Sequence, residues 1–139
     1  MIVIDTNVAS ELIRPEPSEL VQDWAAANAE AGLRLTAVTV AEIRYRLERL
    51  AEGRRKERMK AAAQDVFAAF SDYVLPFDAD AAAHYALVVA RRDEPGLPIE
   101  GFDAQIAAIC RVHGVALATR NTEDFLETGI ELIDPWQVI

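Results

Sequence analysis

At 139 residues, with 52% hydrophobic and 27% charged side chains, the chain has the size and composition of one globular domain with its own core, which excludes a disordered or low-complexity protein. A net charge of -9 at pH 7 excludes binding to nucleic-acid phosphates over the whole surface, because that term needs an excess of lysine and arginine. No apolar run approaches the roughly 18 residues of a membrane helix and no charged leader precedes an apolar segment, so a soluble, cytoplasmic protein with no membrane association is expected.

The first seven residues read M-I-V-I-D-T-N. Ile2, Val3 and Ile4 suit a strand buried on both faces, and polarity changes abruptly at Asp5. A helix over Val8 to Ile13 is stopped by Pro15 and Pro17. Ser18 is a candidate N-cap for a second helix carrying Leu20, Val21 and Trp24, with Gly32 at its end. Leu33 to Thr36 reads as a strand. Thr39-Val40-Ala41-Glu42 fits a capping box opening a helix in which Ile43, Leu47 and Leu50 recur at helical spacing. Gly53 interrupts it before a further helix through Met59, Ala63, Val66, Phe67 and Phe70. Tyr73 to Phe77 is the next strand, and Asp78 or Asp80 caps a helix running to about Arg92. Asp93 to Pro98 holds two prolines and a glycine and forms a loop. Phe102 to His113 is helical with Gly114 closing it. Val115 to Thr119 is a strand, Arg120 to Phe125 a turn into a short helix, and Glu131 to Asp134 a last strand. Strands alternating with helices predict an α/β fold, a mostly parallel central sheet with helices on both faces, in one domain over residues 1–139.

Charge is uneven along the chain. Between Arg44 and Lys60 lie eight of the fourteen basic residues against Glu48, Glu52 and Glu57. Such a segment is either a solvated helical face laced with ion pairs or a phosphate-contacting patch. Cys110, the single cysteine, lies on an alanine-rich and isoleucine-rich helix and reads as a buried free thiol. His84 and His113 stand apart from other ligand-type residues and supply no zinc site.

Four places share one idea. Asp5 ends the first strand, Glu42 sits in the first turn of a helix after the second, Asp103 opens a helix after the proline-rich loop, and Asn121 and Asp124 follow the strand Val115 to Thr119. In a parallel α/β sheet the carboxyl ends of the strands share one edge, where such residues converge. Each also has a plain structural reading: Asp5 as a helix cap, Glu42 as the capping partner of Thr39, Asp103 at the positive end of a helix dipole, Asp124 as a surface acid. Together, however, carboxylates without lysine partners repel one another, and hard divalent cations are what such clusters hold.

The segments I-V-I-D-T-N-V at the start, T-V-A-E-I-R at Thr39 to Arg44, F-D-A-Q-I-A-A-I at Phe102 to Ile109 and A-T-R-N-T-E-D-F at Ala118 to Phe125 resemble the PIN-domain ribonucleases. The likeness is to the VapC and FitB-like toxins of bacterial type II toxin-antitoxin pairs, and Pro135-Trp136 resembles the FitB-like branch. The resemblance implies a PIN-like fold and a Mg²⁺- or Mn²⁺-dependent endoribonuclease, a homodimer that cuts RNA and is silenced by a small antitoxin protein whose tail covers the active site. It implies Asp5 and Asp103 as metal ligands and Glu42 as a ligand through water or the group that orients the attacking water. Asn7 and Thr119 would support the acids, with Asp124 nearby. Asn121 departs from the pattern, since many relatives have Asp there; an amide brings no charge, which puts a second metal in doubt. On the helix after Glu42, Arg44, Arg46 and Arg49 are candidate contacts for flanking phosphates.

Two rivals stand beside this reading. An aspartyl-nucleophile phosphatase would want Asp at position 7 and a lysine in the later half, whereas Asn7 stands there and no lysine follows Lys60. A catalytically silent domain that works by binding a partner is opposed by the intact Asp5, Glu42 and Asp103.

Overall fold

The computed structural model describes residues 1–70 and 74–137. In chain order these form β1 (Ile2–Ile4), α1 (Thr6–Ile13), α2 (Glu19–Ala27), a 3-10 turn (Ala29–Ala31), β2 (Leu33–Thr36), α3 (Ala37–Glu48), α4 (Arg54–Ala69), β3 (Val74–Leu75), α5 (Ala79–Asp93), α6 (Gly101–His113), β4 (Ala116–Ala118), a second 3-10 turn (Thr122–Phe125) and β5 (Leu132–Ile133). The strands make a five-stranded sheet in the order β3-β2-β1-β4-β5, and each pairing is parallel. Among the described residues no helix is long and apolar enough to cross a membrane.

The apolar run of β1 works by alternation. Ile2 and Ile4 join Leu33 and Leu35 in a core completed by Val8, Val21, Ile43, Leu47 and Phe67 from α1 to α4. Val3 points the other way, with Leu117, into a core filled by Val88 of α5 and Ile106 and Ile109 of α6. A strand whose two faces are both covered has no use for polar residues, so three apolar residues run together where a half-exposed strand would alternate. Cys110 is buried in this second core, where desolvation pushes its thiol well above the usual range. It is inert packing material there.

Several boundaries differ from the sequence expectation, each for a local reason. Helix α1 begins at Thr6 rather than Val8 because Asp5 itself caps it, accepting the Thr6 N–H at 2.8 Å. Helix α3 begins directly at the end of β2: Thr36, not Thr39, is its N-cap and accepts the Thr39 N–H at 3.1 Å. Helix α6 opens at Gly101 under a cap from Glu100, whose carboxylate accepts the N–H groups of Phe102 and Asp103. Strand β3 stops before Pro76, which has no N–H to give the ladder; Tyr73, the expected start, lies outside the described residues. Gly114 closes α6 in the left-handed conformation (φ 62°), as its position predicts.

One buried cation ties the site-bearing segments together. Arg92, near the end of α5, donates to the carbonyls of Leu97 (2.8 Å), Pro98 (3.3 Å) and Leu126 (2.6 Å). It therefore fixes both the loop that delivers α6 and the turn after Phe125. Arg92→Met would strand those carbonyls and is expected to cost about 2 kcal/mol. Urea unfolding should show this as a lower midpoint at unchanged slope; an unshifted midpoint would show that water replaces the guanidinium without loss.

Candidate active site

Strand β1 is the central strand, with β2 on one side and β4 on the other, so the chain leaves it at the place where a parallel sheet opens a cleft beyond its carboxyl edge. Register brings the polar residues together there. Ile4 pairs with Ala118, so Asp5 and Thr119 are the next residues on adjacent strands; Val3 pairs with Arg34, which carries Thr36 to the level of Asp5 on the other side.

Asp5 is 4% exposed and held by three donors. Its Oδ1 accepts the Thr6 N–H, and its Oδ2 accepts the Thr119 hydroxyl at 2.8 Å and, at 3.4 Å, the Asn7 amide. Burial raises its pKa and Asp124 raises it further, against the lowering effect of the Thr119 and Thr6 hydrogen bonds and of Arg46. Thr119 is fully used: its one proton goes to Asp5, while it accepts from the Asn7 amide (3.2 Å) and the Asn121 N–H (3.1 Å). Asn7 in turn accepts the Arg120 N–H at 3.2 Å. The cap reading and the site reading of Asp5 are thus both realised by one carboxylate.

Glu42 lies in the second turn of α3, too far along to cap it. Its Oε1 accepts the Thr6 hydroxyl at 3.0 Å. Because Thr6 has one proton and gives it to Glu42, Thr39 must donate to Thr6 across their 3.0 Å contact, and Thr36 stands 3.4 Å behind Thr39. A file of three threonine hydroxyls therefore points its protons toward one carboxylate. Arg46, one turn on, approaches Glu42 at 3.6 Å. Desolvation still leaves the Glu42 pKa raised, with Asp5 and Glu100 adding repulsion.

Asp103 lies half-buried in the first turn of α6, facing other carboxylates. Burial, then Asp5, Glu100, Asp124 and Glu42, push its carboxyl up to about 7. The charge that faces Asp5 and Asp103 from the turn after β4 is that of Asp124, although its side chain is exposed. Asn121 is also exposed and is tied to the site through its backbone N–H on Thr119.

The three arginines after Glu42 part company, because residues two apart on a helix lie on opposite sides. Arg46 and Arg49 share the face of Glu42, while Arg44 turns to α4 and lies over the Phe67 ring at 4.9 Å. Arg44 therefore faces α4 and away from Glu42. In the basic segment the lysines are absorbed locally: Lys56 pairs with Glu52 at 2.7 Å and Lys60 with Glu48 at 2.6 Å, fastening α4 to the end of α3. The partners of Thr6 and the role of Arg92 have no spacing signal in the sequence, being a hydroxyl pairing across 33 residues and a guanidinium spent on carbonyls.

Among the described residues no three Asp, Glu, His or Cys side chains are gathered tightly enough to enclose a metal ion. The carboxylates instead stand near enough to raise one another's pKa, with Arg46 as the cation acting on Asp5 and Glu42. That donor set fits a hard, oxygen-seeking divalent cation such as Mg²⁺, which takes one or two carboxylates and keeps much of its water. Soft or zinc-like ligation has no counterpart here, since Cys110 is sealed in the core.

Comparison with known proteins bears on the family and the fold. A family model described as the PIN domain matches residues 2–131. The chain is 40% identical over 138 residues to a protein named VapC ribonuclease Y4jK from Sinorhizobium fredii, covering 99% of each. It is 36% identical to Toxin FitB from Neisseria gonorrhoeae, over 98% of this chain and 99% of that one. The crystal structure of FitAcB from Neisseria gonorrhoeae superposes with a TM-score of 0.90 at 34% identity, covering 99% of this chain and 100% of that one.

Proposed function

The chain belongs to the PIN domain family, and from that premise we propose that it is a divalent-metal-dependent endoribonuclease, the toxin of a toxin-antitoxin pair, acting in the cytoplasm as one PIN-like domain over residues 1–139. The observation that carries this is the convergence of Asp5, Glu42 and Asp103 at the carboxyl edge of the sheet, each with a raised pKa. Relatives named ribonucleases, including one named tRNA(fMet)-specific endonuclease VapC at 27% identity, support the reaction class.

Asp5 and Asp103 would hold a Mg²⁺ or Mn²⁺ ion. When bound, such an ion polarises a phosphodiester and lowers the pKa of its water. The remaining work falls to the chain itself. Thr119, Asn7 and the Thr6 N–H fix the Asp5 carboxylate so that its geometry does not relax when charge changes beside it. Glu42, oriented by the threonine file, would accept a proton from the attacking water and aim that water's oxygen at phosphorus. Arg46 and Arg49 supply positive charge for the flanking phosphates of the RNA. Asp124 adds a fourth negative charge at the rim, and neutral Asn121 beside it lowers the repulsion that a further carboxylate would bring.

Relatives solved in toxin-antitoxin complexes, among them FitAB bound to a DNA fragment at 35% identity and a TM-score of 0.87, support an antitoxin partner for this chain. An antitoxin arginine reaching Asp5 or Asp103 would pair with the carboxylate in fork geometry. A homodimer is proposed on the same family grounds.

The test is direct. Purified protein should cleave single-stranded RNA with Mn²⁺ or Mg²⁺, stop on addition of EDTA, and recover when metal is returned. Cleavage that continues in EDTA would sink the metal-dependent mechanism, and a folded protein with no cleavage in any metal would favour the silent, partner-binding alternative.

A further inference from the structure

Next to Glu42, on the outward face of α3, lies a cleft of about 540 Å³ lined by Ala41, Glu42, Tyr45, Arg46, Arg49 and Phe102. Two of its walls are aromatic rings that the fold leaves in solvent: Tyr45 is 63% exposed and Phe102 46%. Both sit beside a site carboxylate. Tyr45 is one turn from Glu42 on the same helical face, and Phe102 immediately precedes Asp103. Arg49 lies over the Tyr45 ring at 5.5 Å and, among the described residues, makes no ion pair with a carboxylate. A protein of net charge -9 has thus placed two guanidinium groups and two exposed rings together at the edge of its acidic site.

We infer that this cleft is a base-stacking subsite of the ribonuclease: unpaired bases flanking the scissile phosphate stack on Tyr45 and Phe102, while Arg46 and Arg49 take the adjoining phosphates. The inference rests on the ribonuclease reading and specifies how the substrate strand is held. Single-stranded nucleic acid is bound elsewhere by this pairing of cations with aromatic platforms, because every base offers a π-face and every linkage a charge. Charge complementarity favours this occupant over a second copy of the chain. A two-fold contact would have to draw its carboxylates from this same patch, where Glu42 is already paired with Arg46, whereas a nucleic-acid strand brings a phosphate at every linkage. Stacking tolerates any sequence, so the subsite would set affinity for unpaired RNA rather than choice of base.

The experiment measures equilibrium binding in EDTA, by fluorescence anisotropy, of a 5′-labelled eight-nucleotide oligouridylate and of an abasic strand with the same phosphates. Tyr45→Ala and Phe102→Ala are each expected to weaken binding of the oligouridylate about 10-fold. Tyr45→Phe should bind like the parent. The abasic strand should bind the parent no more tightly than oligouridylate binds the alanine variants. Sedimentation velocity and circular dichroism on the same samples should be unchanged. If the parent cleaves and binds RNA but Tyr45→Ala and Phe102→Ala bind it equally well, the inference falls and the ribonuclease reading stands. If the parent, though folded, neither binds nor cleaves RNA, both fall. A shift of Tyr45→Ala from dimer to monomer with RNA affinity retained, or loss only of a co-expressed partner protein, would make the cleft a protein interface and overturn the inference.

Discussion

Asp103→Asn is expected to lower RNA cleavage at saturating Mn²⁺ by about 100-fold or more while leaving the protein folded, which is the scale of losing one charge-stabilising group from a preorganised site. The substitution keeps size and shape at a position whose backbone N–H is already satisfied by Glu100, so the first turn of α6 has no reason to move. What it removes is the carboxylate on which Asp5, Glu100, Asp124 and Glu42 all act, and with it half of the proposed ligand pair. Asp5→Asn should abolish activity as well, but it is a less clean experiment. An amide at position 5 can still accept the Thr6 N–H, yet it would turn N–H donors toward the Thr119 hydroxyl, costing about 1–2 kcal/mol through the buried network. Glu42→Gln separates the roles further, because its amide oxygen can still accept from Thr6 while the charge is lost. Cleavage assays paired with circular dichroism decide the matter: an Asp103→Asn protein retaining half of the parent's rate would remove position 103 from the chemistry.

How far the site could be read from the chain depends on what carried each signal. Asp5 announced itself by a change of polarity after three apolar residues, and strand order then did the rest, since a parallel sheet gathers its carboxyl ends whatever the sequence between them. Glu42 was visible for the wrong reason. The T-x-x-E pattern at Thr39 suggested a capping box, but β2 passes into α3 without a loop, so Thr36 ends the strand and caps the helix at once. That displacement by three residues frees Glu42 from capping and hands it to Thr6. The start of α6 is obscured similarly, because glutamate is an uncommon cap and Glu100 carries no cap signal. Arg44, Arg46 and Arg49 looked alike as letters, and helical phase alone divides them between Phe67 and the site. Thr6 and Arg92 act through contacts between distant segments, which composition and period do not encode.

Stability of the metal-free protein is expected to fall as pH rises from about 4 to about 7.5, and this too traces to the carboxylates. The folded Asp103 pKa, about 7, lies above its ordinary value of 3.8, so between these values the folded state holds a proton that the unfolded chain has released. Stability rises with pH only where the unfolded state binds more protons; here the folded state binds more, and the slope is negative across that window. Asp5 and Glu42, also raised, act with the same sign. Glu48, lowered by Lys60, acts oppositely, but its contribution is lost only as pH falls below its usual value of 4.5, so it touches the acid edge of the window alone. One pKa unit corresponds to about 1.4 kcal/mol, and because Asp103 is only half-buried, solvent screening reduces its share to about 1 kcal/mol. Metal at 100 times its Kd would return about 2.7 kcal/mol, more than the Asp103 share removes. Melting curves in EDTA should therefore show a lower Tm at pH 7.5 than at pH 5.5, and Mn²⁺ should reverse the order. Asp103→Asn should flatten the EDTA profile, raise the Tm at pH 7.5 by about 4 °C, and lose most of the response to Mn²⁺. Parallel pH profiles for the parent and Asp103→Asn in EDTA would mean that Asp103 titrates as an ordinary surface acid, and the electrostatic case for a metal site at this edge of the sheet would fail with it.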